Sequence, residues 1–509
     1  MPGKINFYFP LSSRGIGMHT AVCLLIMLFS SCYERQSSNQ ILDGEYWKNQ
    51  ALLEILPPWT KHAFDPGQGS FRCNLDAKWL LNGDDIRYSS MISRHLFSYS
   101  AAYLMSGEEP HLEKAMAIKN YLLQYAWDKV NGGWFDALLP SGDPNEYIKS
   151  TFVQVYVITG LTMYYTITHD PEILRYIDKT NDLLELKAWD SKLGGYFDVL
   201  SRDWIVNSPV KSCSSQLAPI SGYLIYLYLS THKTKYLHQA ERIADTILKY
   251  MQDPGSGWIL ESFDNDWVYQ QPGARESEIN IGHNIEVAWS LLRLYTLNQR
   301  QEYLKSATTL ADKIHHYGFN PVTGMWIATV GREKPFMHSD YTYWWIQAYG
   351  NMFDLYLNRI YPDQQYLNHF EKGASFWNTY FLDKVNGDTH FSVFEDGAIR
   401  EDFKANRYKA SYHSMEHCLL NFLYLQNWTN NKPLNLFFKL NAAKAGESFY
   451  PLAIEMTDLQ IKSIQINNKK VQNPIIRDGY ITLPDLNHAR IEVNMQTPIG
   501  KKGSAPDRE

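Results

Sequence analysis

Gly132-Gly-Trp-Phe135 is a short glycine-aromatic turn, and the chain repeats it. Variants read Gly67-Gln-Gly-Ser-Phe71, Gly194-Gly-Tyr-Phe197, Gly255-Ser-Gly-Trp258, Gly324-Met-Trp326 and Gly387-Asp-Thr-His-Phe391. Successive first glycines lie 65, 62, 61, 69 and 63 residues apart, and self-similarity at a fixed period marks a repeat architecture. Between the turns, apolar residues recur at helical spacing in paired segments, for example Ser93–Met105 with His111–Tyr125 and Glu286–Leu297 with Gln301–His316. Each unit is therefore a helical hairpin followed by a glycine-aromatic loop. Six hairpins can stack as an open solenoid or close on themselves. A solenoid needs polar capping units, and none is evident between residues 45 and 427. That segment is expected to be an all-α (α/α)6 toroid, or barrel, with its inner helices ringing a central pocket.

Outside the repeat the pattern changes. From Asn427 onward, short runs such as Leu434–Leu440, Ile461–Ile466 and Arg490–Val493 alternate with turn residues, so residues 428–497 read as a small C-terminal β module. Residues 498–509 read as a disordered tail. At the other end, Lys4 and Arg14 precede the apolar run Ala21–Phe29 and then Ser30-Ser31-Cys32. Residues 1–32 read as a signal peptide, and its apolar core is too short to span a bilayer. Cys32 after two small residues resembles the lipobox of bacterial lipoproteins. The resemblance implies an acylated Cys32, a polar tether over 33–44, and a protein anchored to a membrane facing the periplasm or the cell exterior.

Composition narrows the partners. Net charge is −6 with no basic run, which excludes nucleic acid as an expected partner. The five cysteines show neither zinc-type spacing nor a disulfide framework, so no metal and no cofactor is expected. The 35 Tyr, 23 Phe and 15 Trp are an unusual aromatic content; many will pack in the core, and aromatic faces are also common platforms in concave ligand sites.

Residues 280–291, Asn-Ile-Gly-His-Asn-Ile-Glu-Val-Ala-Trp-Ser-Leu, open one of the inner helices. Ile285, Ala288, Trp289 and Leu292 form its apolar stripe. His283 and Glu286 share a face, where a carboxylate can fix the histidine's tautomer and raise its basicity. Alone, the pair reads equally well as a satisfied core histidine and a first-turn acid. Other polar residues stand where inner helices begin: Arg94, Lys149, Lys211, Trp344-Trp345-Ile-Gln347 and Lys409-Ala-Ser-Tyr412-His413. Singly, Lys149 could be solvated and Trp344-Trp345 could be core. Charges placed once per unit in apolar surroundings are costly unless they face a common cavity, which is where all of them are expected.

Gly282-His283-Asn-Ile-Glu286-Val-Ala-Trp289, Trp344-Trp345-Ile-Gln347-Ala, Lys409-Ala-Ser-Tyr412-His413 and the glycine-aromatic turns resemble the N-acylglucosamine 2-epimerase superfamily. The resemblance covers roughly residues 45–427. It implies an (α/α)6 barrel needing no metal, acting on a reducing sugar or oligosaccharide. It makes His283 and His413 the acid/base pair, Glu286 the carboxylate supporting the first, and Arg94 a substrate-binding arginine. Lys149, Lys211, Trp344, Trp345, Gln347 and Tyr412 are further candidates for substrate binding. The chemistry explains the residue types. Epimerising C2 of an open-chain sugar requires a base on one face of a planar enediolate and an acid on the other, which two histidines can supply. A cation such as Arg94 can stabilise the developing negative charge, and indole rings can stack on the sugar. Two positions depart from the pattern. Ala218 stands where the disaccharide epimerases carry a further histidine, and Tyr349 where many members carry an acid.

Three alternatives share the scaffold. An aldose–ketose isomerase uses the same enediolate but returns the proton to C1. A silent glycan-binding lipoprotein keeps only the pocket. A glycoside hydrolase would need two carboxylates across the site, for which Asp136, Asp198 and Asp264 offer themselves, although their place after turns suits capping.

Overall fold

The structure is a computed structural model that describes residues 40–270, 278–443, 445–451, 455, 459–477 and 479–498. Residues 1–32 with Cys32, most of the tether segment 33–44, residues 271–277 and all but the first residue of the segment 498–509 lie outside the described residues. No described helix is long and apolar enough to cross a membrane.

The repeat unit is visible in how its helices are buried. One series comprises α2 (Ser89–Ser106), α4 (Thr151–Thr168), α6 and α7 (Cys213–Pro219, Ile225–Thr231), α9 (Ile281–Asn298), α11 (Trp344–Ile360) and α13 (Tyr412–Tyr424). These helices are buried on nearly every side; in α2 every residue from Ser89 to Met105 is buried. The second series comprises α1 (Gly44–Gln50), α3 (Glu109–Tyr121), α5 (Pro171–Leu183), α8 (Thr234–Thr246), α10 (Gln301–Gly318) and α12 (Gln364–Phe376). These bury one stripe only, as in α5 with Ile173, Ile177, Thr180 and Asn181, so they are amphipathic and face solvent. Each helix of the first series packs on the next, and α13 returns to pack on both α2 and α1, making the order of contacts cyclic. The α6–α7 helix is interrupted where Pro219, which has no N–H to donate, precedes a wide turn over 220–224.

The glycine-aromatic turns are built alike. The N–H of Gly69, Gly132, Gly194, Gly257, Gly324 and Gly387 donates to the carbonyl of Asp65, Asp128, Asp190, Asp253, Asn320 and Asp383 at 2.7–2.9 Å. In the first and fourth units the equivalent glycine is thus Gly69 or Gly257, two residues beyond the one marked from sequence. Each of these glycines has positive φ, a conformation that costs a side-chain-bearing residue about 1 kcal/mol or more. Gly133 is constrained twice, since a Cβ there would also lie 2.4 Å from the Trp204 ring. Phe71, Trp134, Tyr196, Trp258 and Trp326 then drive the loops into the core, each 0% exposed.

Gln40 to Gly44 belong to the fold and not to a tether. Ile41 is buried, and its carbonyl accepts from Trp47 Nε1 at 2.8 Å. The C-terminal module is β, as expected. An antiparallel sheet pairs Leu434–Ala443, Leu486–Gln496, Gln460–Ile466 and Lys469–Lys470 in that order, beside a smaller sheet of Ser448–Phe449, Tyr480–Thr482 and Ile476–Arg477. It packs on the tight turns where inner helices hand over to outer ones. Phe449 lies against His169, Tyr450 against His232, and Arg490 Nε donates to the Gly107 carbonyl. Glu455 reaches further in and accepts from Arg293 Nε of α9 at 2.7 Å, both side chains fully buried. The module therefore closes the end of the helical domain opposite the N-termini of the inner helices.

Candidate active site

At those N-termini lies a cavity of about 660 Å³, within the ~300–1,000 Å³ typical of small-molecule sites. Its walls hold Arg94, His283, Glu286, Trp344, Trp345 and His413 from the sequence candidates. Phe152, Tyr156, Ser214, Tyr343, Phe391, Glu401, Phe403, Asn406 and Tyr408 complete it. The helices α9, α11 and α13 deliver their first-turn residues to one space. Gly282 permits this, because a Cβ there would meet the Trp345 ring at 2.3 Å.

The two histidines sit in opposite electrostatic settings. His283 Nδ1 is 2.8 Å from Glu261, a residue that the sequence reading did not single out. Burial opposes charge on this imidazole, but the charge and hydrogen bond of Glu261, with the charge of Glu286, outweigh it and push His283 up to about 9. Glu286 lines the cavity, and burial raises its carboxyl above the usual range. The orienting hydrogen bond expected of Glu286 belongs to Glu261. A side chain one turn along the same helix adds its field here without reaching the ring. His413 has no charge partner, and its Nδ1 has no hydrogen-bond partner among the described residues. Burial, reinforced by the Arg94 charge, holds it well below the ordinary histidine range. Both imidazoles lie beside the Trp345 ring, with centroids 5.4 and 6.3 Å away. Arg94 donates to the Tyr408 carbonyl at 2.8 Å and stacks over Tyr156 at 3.8 Å, which fixes its head at the cavity wall.

Four candidates lie elsewhere. Lys149 and Lys211 do not reach the cavity. Each is wholly buried and turns back to the aspartate of a glycine turn, Lys149 to Asp128 at 3.3 Å and Lys211 to Asp190 at 2.7 Å. Lys404 does the same with Asp383 at 2.7 Å. These lysines satisfy their charge inside the scaffold, which removes the argument that buried charges must share a cavity. Gln347 is a backbone clamp: it accepts from Trp326 N–H at 3.0 Å and donates to the Gly324 and Gly373 carbonyls at 2.9 Å. Gln154 and Gln216 hold the turns of earlier units in the same way. Tyr412 lies under the cavity, donating to Glu416 at 3.0 Å with its ring 4.8 Å from His413.

The departures also have a place. Tyr349 donates to the same Glu416 carboxylate at 3.1 Å and packs its ring 5.6 Å from that of His413. Burial pushes Glu416 up to about 7, against hydrogen bonds from Tyr412 and Tyr349 and the Arg293 charge. Ala218 is buried in α6 and contributes nothing to the cavity, where Ser214 stands instead. Asp136 and Asp198 are caps: Asp136 accepts from Ser150 and Asp198 from the Ser212 N–H and hydroxyl at 2.9 Å. Asp264 accepts from the N–H groups of Asp266 and Val268 at 2.9 Å in an exposed turn.

Residues 69–417 match the N-acylglucosamine 2-epimerase (GlcNAc 2-epimerase) family. A cellobiose 2-epimerase of Bacteroides fragilis is 25% identical over 75% of this chain and 98% of its own length. A D-mannose isomerase of Marinomonas mediterranea is 24% identical over 64% of this chain and 84% of its own. Among solved structures, a cellobiose 2-epimerase from Bacillus thermoamylovorans superposes with a TM-score of 0.69 over 75% of this chain and 98% of its own, at 21% identity. Fold, cavity and match together define an enzyme that epimerises or isomerises sugars. The chain belongs to the N-acylglucosamine 2-epimerase family.

Proposed function

We propose that the protein is a sugar 2-epimerase in which His413 and His283 exchange the C2 proton of an open-chain reducing sugar through an enediolate. The single observation carrying this reading is the split between two histidines of one cavity. His413 is kept neutral by burial and Arg94 and is free to accept a proton, whereas His283 is kept charged by Glu261 and is ready to give one. Pairs of groups whose surroundings push their proton affinities apart mark acid and base roles. Arg94 at the cavity wall supplies positive charge for the enediolate oxygen, and Trp345 beside both imidazoles offers a face for the sugar. The cyclic packing of six inner helices supports a closed (α/α)6 toroid as the frame for this pocket. The scaffold roles of Asp136, Asp198 and Asp264 weigh against a hydrolase that would use them.

A panel of cellobiose, mannobiose, an N-acylglucosamine and mannose, incubated in deuterated water and followed by NMR, tests the reaction. Deuterium at C2 with formation of the epimer is expected. Deuterium at C1 with a ketose would make the enzyme an isomerase, and no exchange with any sugar would make it a silent binder. The place of action is likewise proposed, on the Cys32 pattern: membrane-anchored and facing the periplasm or exterior. Membrane association is expected to disappear in Cys32→Ala, and its persistence would refute the anchor.

A further inference from the structure

Among the described residues, three groups of side chains bring possible metal-ligand atoms within 4.8 Å of one another: Cys213–Glu261–His283, Asp383–His390–Asp402 and His315–Asp354–His369. The first belongs to the pocket already described. In the second, Lys404 already neutralises Asp383 at 2.7 Å. The third joins outer helices α10 and α12 to inner helix α11, and nothing in the proposed chemistry uses it.

Its hydrogen bonding leaves a gap that a cation would fill. His315 Nδ1 lies 2.9 Å from the Ala311 carbonyl, and because a carbonyl only accepts, Nδ1 carries the proton. In a neutral ring the lone pair is then on Nε2, which faces Asp354 Oδ1 at 2.7 Å, an acceptor against an acceptor. The Asp354 side chain is 0% exposed, and its Oδ2 has no partner among the described residues. His369 Nδ1 is likewise buried without a partner, and the His369 ring stacks on His315 with centroids 5.1 Å apart. A histidine that donates one N–H to a carbonyl and presents the other nitrogen is the usual posture of a metal ligand. Two imidazoles and a carboxylate fall within the ligand repertoire of zinc. The first and last of these residues are 54 positions apart and the three share no short motif, so spacing in the sequence does not show the site.

We propose that His315, Asp354 and His369 form a binding site for a divalent cation of borderline softness, Zn²⁺ in the first instance, which fastens helices α10, α11 and α12 together. The ion braces α11, the helix that opens with Trp344 and Trp345, and takes no part in proton transfer.

The test uses the full chain, stripped with EDTA, dialysed and supplied with Zn²⁺ alone. Bound zinc is counted by elemental analysis and Tm is followed by circular dichroism. One zinc per chain and a Tm rise of about 3–5 °C are expected, the size that tight binding to the folded state gives. Asp354→Asn and His369→Gln should lose both effects. His369 is only half-buried on an outer helix, so His369→Gln keeps the test valid should Asp354→Asn fail to fold. Glu261→Gln should retain both. A wild-type chain that holds no stoichiometric zinc and whose Tm Zn²⁺ does not move would overturn the proposal, leaving an imidazolium–carboxylate pair. Zinc retained by His369→Gln but lost by Glu261→Gln would overturn it too, by moving the ion to the catalytic pocket.

Discussion

Asp136, Asp198 and Glu261 occupy the same step of successive units, each eight residues after the turn aspartates Asp128, Asp190 and Asp253. Their main chains do the same thing: the carbonyls of Asp136, Asp198 and Glu261 accept from the first N–H groups of α2, α4 and α6. Their side chains differ. The two aspartates cap the chain entering the next inner helix through Ser150 and Ser212. The glutamate is one methylene longer, and Asn280 caps its helix by accepting from His283 N–H at 3.1 Å, as Ser212 accepts from Ser215 N–H. Glu261 reaches the ring of His283. At one step of the repeat, aspartates in two units hold the chain entering a helix, and a glutamate in the next reaches an imidazole of the cavity.

This comparison predicts which changes strike chemistry and which strike stability. The largest effect is expected from His413→Ala, which should lower kcat by ~10²–10⁴-fold while circular dichroism and Tm stay near wild type. Lys211→Met should do the reverse. Burial works against charge on Asp190, but the hydrogen bond from Lys211 and those from Lys192 and Leu193 N–H hold it below the usual carboxylate range. A carboxylate whose folded value is depressed adds stability above its unfolded value of about 3.9 and loses it as pH falls. Denaturant titration should therefore show a loss of about 3–5 kcal/mol at pH 7, shrinking towards pH 3, with kcat unchanged in the folded fraction. Glu261→Gln is expected to cost about tenfold in kcat, less than loss of a histidine, because the imidazole remains and loses only its charge partner. Glu286→Gln should cost less again. Asp198→Asn should leave kcat alone and cost about 1 kcal/mol as a weakened cap.

Much of the frame was legible because it rests on short-range pattern. The turn signature, the helical periodicity and the strand alternation after Asn427 each lie within a few residues. The His283 and His413 motifs were legible because each lies within a few consecutive residues at the start of a buried helix. Three of the four misplaced candidates depend on partners about twenty residues away. Lys149 and Lys211 each pair with an aspartate 21 positions earlier, as Lys404, which was never a candidate, also does, and that constant offset was the available sign that they are scaffold. Gln347 followed the same rule, since Gln154 and Gln216 stand at its place in other units. Glu261 lies 22 residues before His283, and only the register of the repeat, glutamate where the two preceding units carry Asp136 and Asp198, marks it. The His315–Asp354–His369 cluster joins three helices and has no local signature at all.

Glu261, 2.8 Å from the His283 ring, is the carboxylate that raises its proton affinity most. The most direct measurement is an NMR titration of the isotopically labelled histidine ring in the folded protein, with the His283 signal assigned by its loss in His283→Ala. Wild type should titrate at about 9. Glu261→Gln should bring the midpoint down towards the ordinary ~6.5, with Glu286→Gln lowering it by a smaller step. Since the folded value lies above the unfolded one, the stability this group adds is present below about 6.5 and is lost as pH rises through the folded midpoint. The same window should weaken in Glu261→Gln. A wild-type His283 titrating near 6.5, or a midpoint unmoved by Glu261→Gln, would contradict the account.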